Sequence, residues 1–183
     1  MGRISLEHVA TAVREVRSMQ IAQKTTIIDE IHLKQPNLLA SCVVQGKLGA
    51  DELTVEFLLN LLLTCYVAMR ESDFEWPLIS ETDQERELGR TVGAVLFSEQ
   101  LADPVAANAA RAHYIATHPE QPLLALVVSE STQWLQDLAK RKAEKESDKY
   151  VMMASVNLVN CIAHLAAYRR RASQREHRGS ETL

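Results

Sequence analysis

Tyr150, Met153, Asn157, Asn160, Cys161, His164 and Tyr168 are the residues of this chain whose types and spacing best suit chemistry. At 100° per residue they fall within a helical stripe roughly 100° wide. Around them, residues 151–167 are almost all apolar or small. A helix that is apolar all round belongs in the middle of a fold. Polar groups on it must find partners there, or each costs about 1–3 kcal/mol. The plainest expectation is a buried hydrogen-bond network that fixes helix register. Two sharper readings compete with it. One is a homodimer interface with a polar centre. The other is a ligand pocket on which Asn157, Asn160 and His164 converge, with His164 as a general base that titrates near neutral pH.

An opposite wall for such a pocket is available on another apolar stretch, residues 51–70. There Glu52, Glu56, Asn60 and Thr64 recur every four residues. Glu56 and Asn60 are the candidates. The same stripe also reads as the wet edge of an amphipathic helix, because an isolated glutamate is rarely buried. The candidate pocket or buried polar network is therefore Asn157, Asn160, His164, Tyr168, Glu56 and Asn60.

Other chemistries fare worse. Asp29 and His32 are three apart and share a helix face, but no second acid-x-x-His exists to complete a carboxylate-bundle metal site. His113 and His118 are five apart and do not share a face, and there is no HExxH. Glu-x-x-Glu, which brings two carboxylates to one magnesium ion, is absent. The acidic pairs Glu52/Glu56, Glu81/Glu85 and Asp83/Glu87 read as solvated faces. No Walker A loop, GxGxxG or GxSxG occurs. No metal or cofactor is expected, and the balance leans away from an enzyme. Cys42, Cys65 and Cys161 each sit in apolar sequence without a CxxC. They read as reduced core thiols in a reducing compartment.

Association signals form a second group. Leu6, Val9, Val13 and Val16 make a coiled-coil-like apolar seam. Gly89 and Gly93, one turn apart in a helical pattern, suggest close approach of another backbone. Leu6, Val9, Val13, Val16, Gly89 and Gly93 are the candidate interface. The net charge of −4 is unevenly spread, with residues 71–87 strongly acidic and Arg169, Arg170, Arg171, Arg175 and Arg178 clustered near the end. The basic run suggests weak nucleic-acid binding or salt-sensitive attraction to the acidic segment. A helix-turn-helix over 84–102 fits poorly, because Gly93 lies inside a strong helical pattern.

Helices must position these residues. Glycine and proline number only 6 and 5 in 183 residues, too few for a turn-rich β fold. Ser5 is a candidate N-cap for a helix over 5–23, followed by one over 26–34. Pro36 opens a short helix that Gly46 and Gly49 stop. Asp51 opens the apolar helix over 51–70. Ser80 with Asp83 resembles a capping box for a helix reaching 102. Pro104 and Pro122 open two more and a long helix runs over 147–172; the stretches 5–23 and 26–34 also read as one bent helix, which keeps the set to seven. The expectation is an all-α, single-domain helical bundle of six or seven helices over 1–172, with a flexible basic tail over 173–183. The N-terminal residues lack the apolar segment of a signal peptide, and 55–69 is too short to span a bilayer, so cytoplasm is the expected location. The function favoured by sequence alone is a binding or regulatory module that acts as a homodimer through protein–protein contacts, with an unknown partner protein.

Overall fold

The computed structural model describes residues 3–100, 103–141 and 150–164, and only the backbone of 97–100. Among the described residues the fold is all-α, with no strand. The helices are α1 (Leu6–Ser18), α2 (Ile21–Lys34), α3 (Pro36–Lys47), α4 (Glu52–Glu71), α5 (Glu81–Gln100), α6 (Pro104–Thr117) and α7 (Gln121–Lys140), followed by α8 (Tyr150–His164). The count exceeds the expected six or seven. The first helix also ends at Ser18, well short of the expected residue 23. There the Ser18 hydroxyl donates to the Glu15 carbonyl. Met19 is extended, with ψ of 136°, and Gln20 follows at ψ of 159°. The Gln20 N–H then donates to the Gln23 side chain at 2.8 Å, a local cap that starts α2 afresh.

Caps read from the sequence are present. Ser5 accepts from the His8 N–H at 3.2 Å, and His8 Nδ1 accepts from the Ser5 N–H at 3.2 Å. Asp51 accepts from the Thr54 N–H and hydroxyl at 2.9 and 2.7 Å. Asp83 accepts from the Ser80 N–H and hydroxyl, while its own N–H donates to Ser80 Oγ. Gly49 ends the α3 turn with φ of +99°, where a side chain would strain the backbone.

The core forms around α4, which packs against α1, α2 and α3. Leu58, Leu61, Leu62, Leu63, Cys65 and Val67 are buried on successive turns, so α4 hides most of its circumference. Among the described residues α4 is the one helix long and apolar enough to cross a membrane, by length and composition. Here it is mostly enclosed by its neighbours. The N-terminal seam supplies part of that enclosure: Val9 and Val16 are buried, and Val13 packs against the same cluster. α7 closes another side, with Trp134 stacked on Phe57 at 5.0 Å.

Two buried polar side chains fasten the connections. Gln35 donates to the Pro77 carbonyl at 2.8 Å and accepts from the Ile79 N–H at 3.0 Å, tying the loop before α5 to the α2–α3 corner. Glu120, with 0% of its surface exposed, accepts from the N–H groups of Arg3 and Ile4 at 3.0 Å each. A carboxylate so buried is tolerable because both bonds are charge-assisted. They hold the chain's N-terminal approach against the α6–α7 corner.

Candidate functional site

α8 carries the polar stripe, and the fold divides it. α5 determines the division because two of its faces meet α8 differently. Asp83, Glu87 and Thr91 recur every four residues and hydrogen-bond or ion-pair with α8. Glu81, Gln84, Glu85 and Leu88 lie on the adjoining face and line an open cleft.

On the first side Asn160 is the hub. Its Nδ2 donates to Thr91 Oγ1 at 2.7 Å. Its Oδ1 accepts from the Tyr114 hydroxyl at 2.6 Å and lies 3.1 Å from His118 Nε2. The Glu120 N–H donates to His118 Nδ1 at 3.1 Å. Nδ1 must therefore be the unprotonated nitrogen, which leaves Nε2–H to donate to Asn160. Burial holds the His118 pKa below its ordinary value, against smaller opposing effects of the Asn160 bond and Glu120. Burial likewise raises that of Tyr114. Both rings are thus kept neutral as hydrogen-bond donors to one carbonyl oxygen.

His164 occupies the next turn of α8. Its Nδ1 is 3.0 Å from Glu87 Oε1, and Nε2 is 3.8 Å from Asp83 Oδ1 and 3.4 Å from Arg86 Nη1. Glu87 also pairs with Arg90 at 2.7 Å. Hydrogen bonds from the Ser80 hydroxyl and N–H, assisted by the Arg86 charge, lower the Asp83 pKa. Burial pushes the adjacent Cys161 thiol up to about 12, with Glu87 and Asp83 adding to it, so it is not an activated nucleophile. Burial raises the Cys42 thiol to about 12 as well. Cys65 moves in the same direction for the same reason.

On the second side lies a cleft of about 700 Å³ between α3, α4, α5 and α8. Its walls are mainly apolar, with Val44, Leu48, Leu58, Leu88, Val151 and Leu158 among them. Asn157 and Ser155 line it from α8. Asn157 Oδ1 and Ser155 Oγ are out of reach of water and have no hydrogen-bond partner among the described residues. Ser155 is wholly buried.

The expected convergence of Asn157, Asn160 and His164 on one pocket does not occur. Only Asn157 lines the cleft. Asn160 and His164 are occupied by α5 and α6, so His164 does not present a base to that space. Glu56 and Asn60 do not form its far wall either. Glu56 is exposed. Asn60 accepts from Lys24 Nζ at 2.8 Å and lines a separate cavity of about 340 Å³. Thr54 and Leu58 face the cleft from α4 instead, because the polar edge of that helix points the other way. Tyr168 and the basic run over 169–178 lie outside the described residues.

The candidate interface also divides. Val9, Val13 and Val16 serve the chain's own core, while Leu6 is 72% exposed. A Cβ built at Gly89 or Gly93 would meet nothing within 4 Å, so among the described residues no other backbone approaches either glycine. Asp29 and His32 are both exposed. Among the described residues no group of three or more His, Cys, Asp or Glu is placed to hold a metal ion.

Sequence reasoning missed the partners of Asn160: Thr91, Tyr114 and His118. A signal was present in the spacing of four between Tyr114 and His118, which puts both rings on one face of the chain leaving α6. Comparison with known proteins adds no further assignment: no family model, curated protein or solved structure matches the chain.

Proposed function

We propose that this chain is an all-α small-molecule-binding protein whose ligand site is the cleft between α3, α4, α5 and α8. The observation that carries this reading is the pairing of a largely apolar cleft of ligand size with two buried, unpartnered polar side chains on its wall, Ser155 and Asn157. Binding sites combine a mostly apolar surface with a few fixed polar groups on this scale of about 300–1,000 Å³. Unmet polar atoms are costly in a finished core, and a ligand that turns these side chains toward the cleft and bonds them recovers that cost. The reading is of binding rather than catalysis, since His164 is engaged with α5 and does not line the cleft.

The test uses N-phenyl-1-naphthylamine, an uncharged apolar dye that brightens when it leaves water. Saturable binding by the full chain is expected, with loss of binding in Ala154→Trp, which fills the cleft while leaving the Asn160 network intact. Equal dye binding by that variant, if it remains folded by circular dichroism, overturns the reading.

A second reading is self-association through α5 and α6. The open faces of Gly89 and Gly93 lie on a helix whose Leu96 is exposed, and Val105 at the start of α6 is exposed as well. In this reading the two glycines admit a helix from a second copy, and Leu96→Glu lowers the sedimentation coefficient. A cytoplasmic location is part of the proposal, supported by three unpaired, buried thiols of the kind that a reducing compartment keeps reduced.

A further inference from the structure

We infer that the cleft selects an amphiphilic cation: an organic amine with an apolar body, its ammonium group held by Glu81 and Glu85. This rests on the cleft being a ligand site. The charge of its lining carries the step further.

Glu81 and Glu85 line the cleft one turn apart on α5, and both are exposed. Among the described residues no lysine, arginine or histidine lines the cleft. Neither carboxylate has an ion-pair partner among the described residues, whereas Asp83 and Glu87 on the adjoining face pair with Arg86 and Arg90. Two like charges at i and i+4 repel each other. The α5 N-terminus offsets part of that cost at Glu81 and less at Glu85, one turn further in. The charge that the described lining residues bring to the cleft is therefore negative, and it disfavours an anionic ligand.

The wall below the two carboxylates suits the rest of such a molecule. Leu88 continues the same face of α5, and Leu158 and Val151 stand across from it on α8. Ser155 is fully buried, unpartnered and part of this wall. Its hydroxyl is unmet by the chain's own packing and lies just behind the cleft surface, so only a ligand that draws it outward could bond it. Asn157 lines the cleft with its carbonyl oxygen unmet and covered, and a turn of its side chain would bring that acceptor to a ligand that carries N–H donors. An apolar body with a primary ammonium group meets these demands together.

The experiment is isothermal titration of the full chain with three ligands sharing one alkyl body, octylammonium, 1-octanol and octanoate, at pH 7. Octylammonium is expected to bind about tenfold more tightly than octanoate and about threefold more tightly than octanol. That preference should shrink to near unity in the Glu81→Gln/Glu85→Gln double variant and shrink in part in 0.5 M salt, where screening is strong. Octanol binding of the double variant should equal that of the unaltered chain, which verifies that the cleft is intact. If all three ligands bind equally, or the double variant keeps the amine preference, the charge inference fails while the cleft remains a ligand site. If none of the three binds at millimolar concentration, both fail.

Discussion

Asn157 and Asn160 stand three residues apart on one helix and have opposite surroundings. Asn160 uses its amide nitrogen and its carbonyl oxygen, with partners from α5, α6 and the α6–α7 corner. Asn157 lines a cleft, and its carbonyl oxygen has no partner among the described residues. The residue type is the same and the helix is the same. What differs is the neighbouring face of α5: one face brings Thr91 to Asn160, and the other brings Leu88 and two glutamates to the cleft. A buried carboxamide is a structural element when its bonds are complete and a recognition element when they are not. That contrast assigns the two halves of the stripe to different work.

The sharpest way to break this contrast is to make the same substitution at both sites. Asn160→Leu nearly preserves volume and removes the partners of Thr91, Tyr114 and His118 at once. It should destabilise the fold by about 2–4 kcal/mol, the cost of leaving several buried polar groups unmet. Urea denaturation followed by circular dichroism measures it. A loss below about 0.5 kcal/mol would mean that these contacts contribute no net stability, and the satisfied half of the comparison would fail.

Much of the frame behind this contrast was legible before the fold was known. The apolar runs at 58–69 and 151–163 announced α4 and α8, and Ser5, Asp51 and Ser80 marked helix starts, because caps depend on residues three apart. The break at Met19–Gln20 was not legible, since neither glycine nor proline marks it. The division of the stripe was out of reach for a deeper reason. Periodicity places Asn157 and Asn160 on one side of α8 but says nothing of which helix crosses there. Tyr114 and Thr91 lie 46 and 69 residues away in sequence from Asn160. Likewise the spacing of Glu52, Glu56, Asn60 and Thr64 announced a polar edge without showing which neighbour it would face.

His118 sharpens the comparison through pH. Its folded pKa lies below the ordinary value of 6.5 because burial disfavours the charged ring. Above 6.5 the ring is neutral in both folded and unfolded chains, and its contribution to stability is complete. As pH falls below 6.5 the unfolded chain takes up a proton that the folded one resists, so stability declines until the folded pKa is passed. His118→Gln should flatten the stability curve between pH 7 and 5 relative to the unaltered chain. An unchanged slope would show that the ring is not held neutral against Asn160.

The glycines on α5 separate the self-association reading from the ligand reading. Gly89→Ala and Gly93→Ala place a methyl in open space within a helix, so each should stabilise an isolated chain by up to about 1 kcal/mol through helix propensity. A helix of a second copy against that face would reverse the sign and loosen association. Sedimentation equilibrium beside thermal melts at two protein concentrations distinguishes the two. A concentration-dependent loss of stability in the alanine variants favours the dimer.

The smallest expected change in stability is at Asn157, and it is the most diagnostic. Asn157→Leu removes an acceptor that has no donor, so the unligated fold should lose nothing and should gain up to about 1 kcal/mol from the added apolar contact. Paired with Asn160→Leu, it holds residue type, helix and substitution constant and changes only the surroundings. The same variant should bind octylammonium more weakly, because the N–H donors of the amine lose their acceptor in the cleft. A protein that becomes more stable alone and less competent with ligand is the signature of a polar group kept for recognition. If Asn157→Leu instead destabilises the unligated chain as much as Asn160→Leu does, Asn157 has a structural partner of its own and the two halves of α8 are not different in kind.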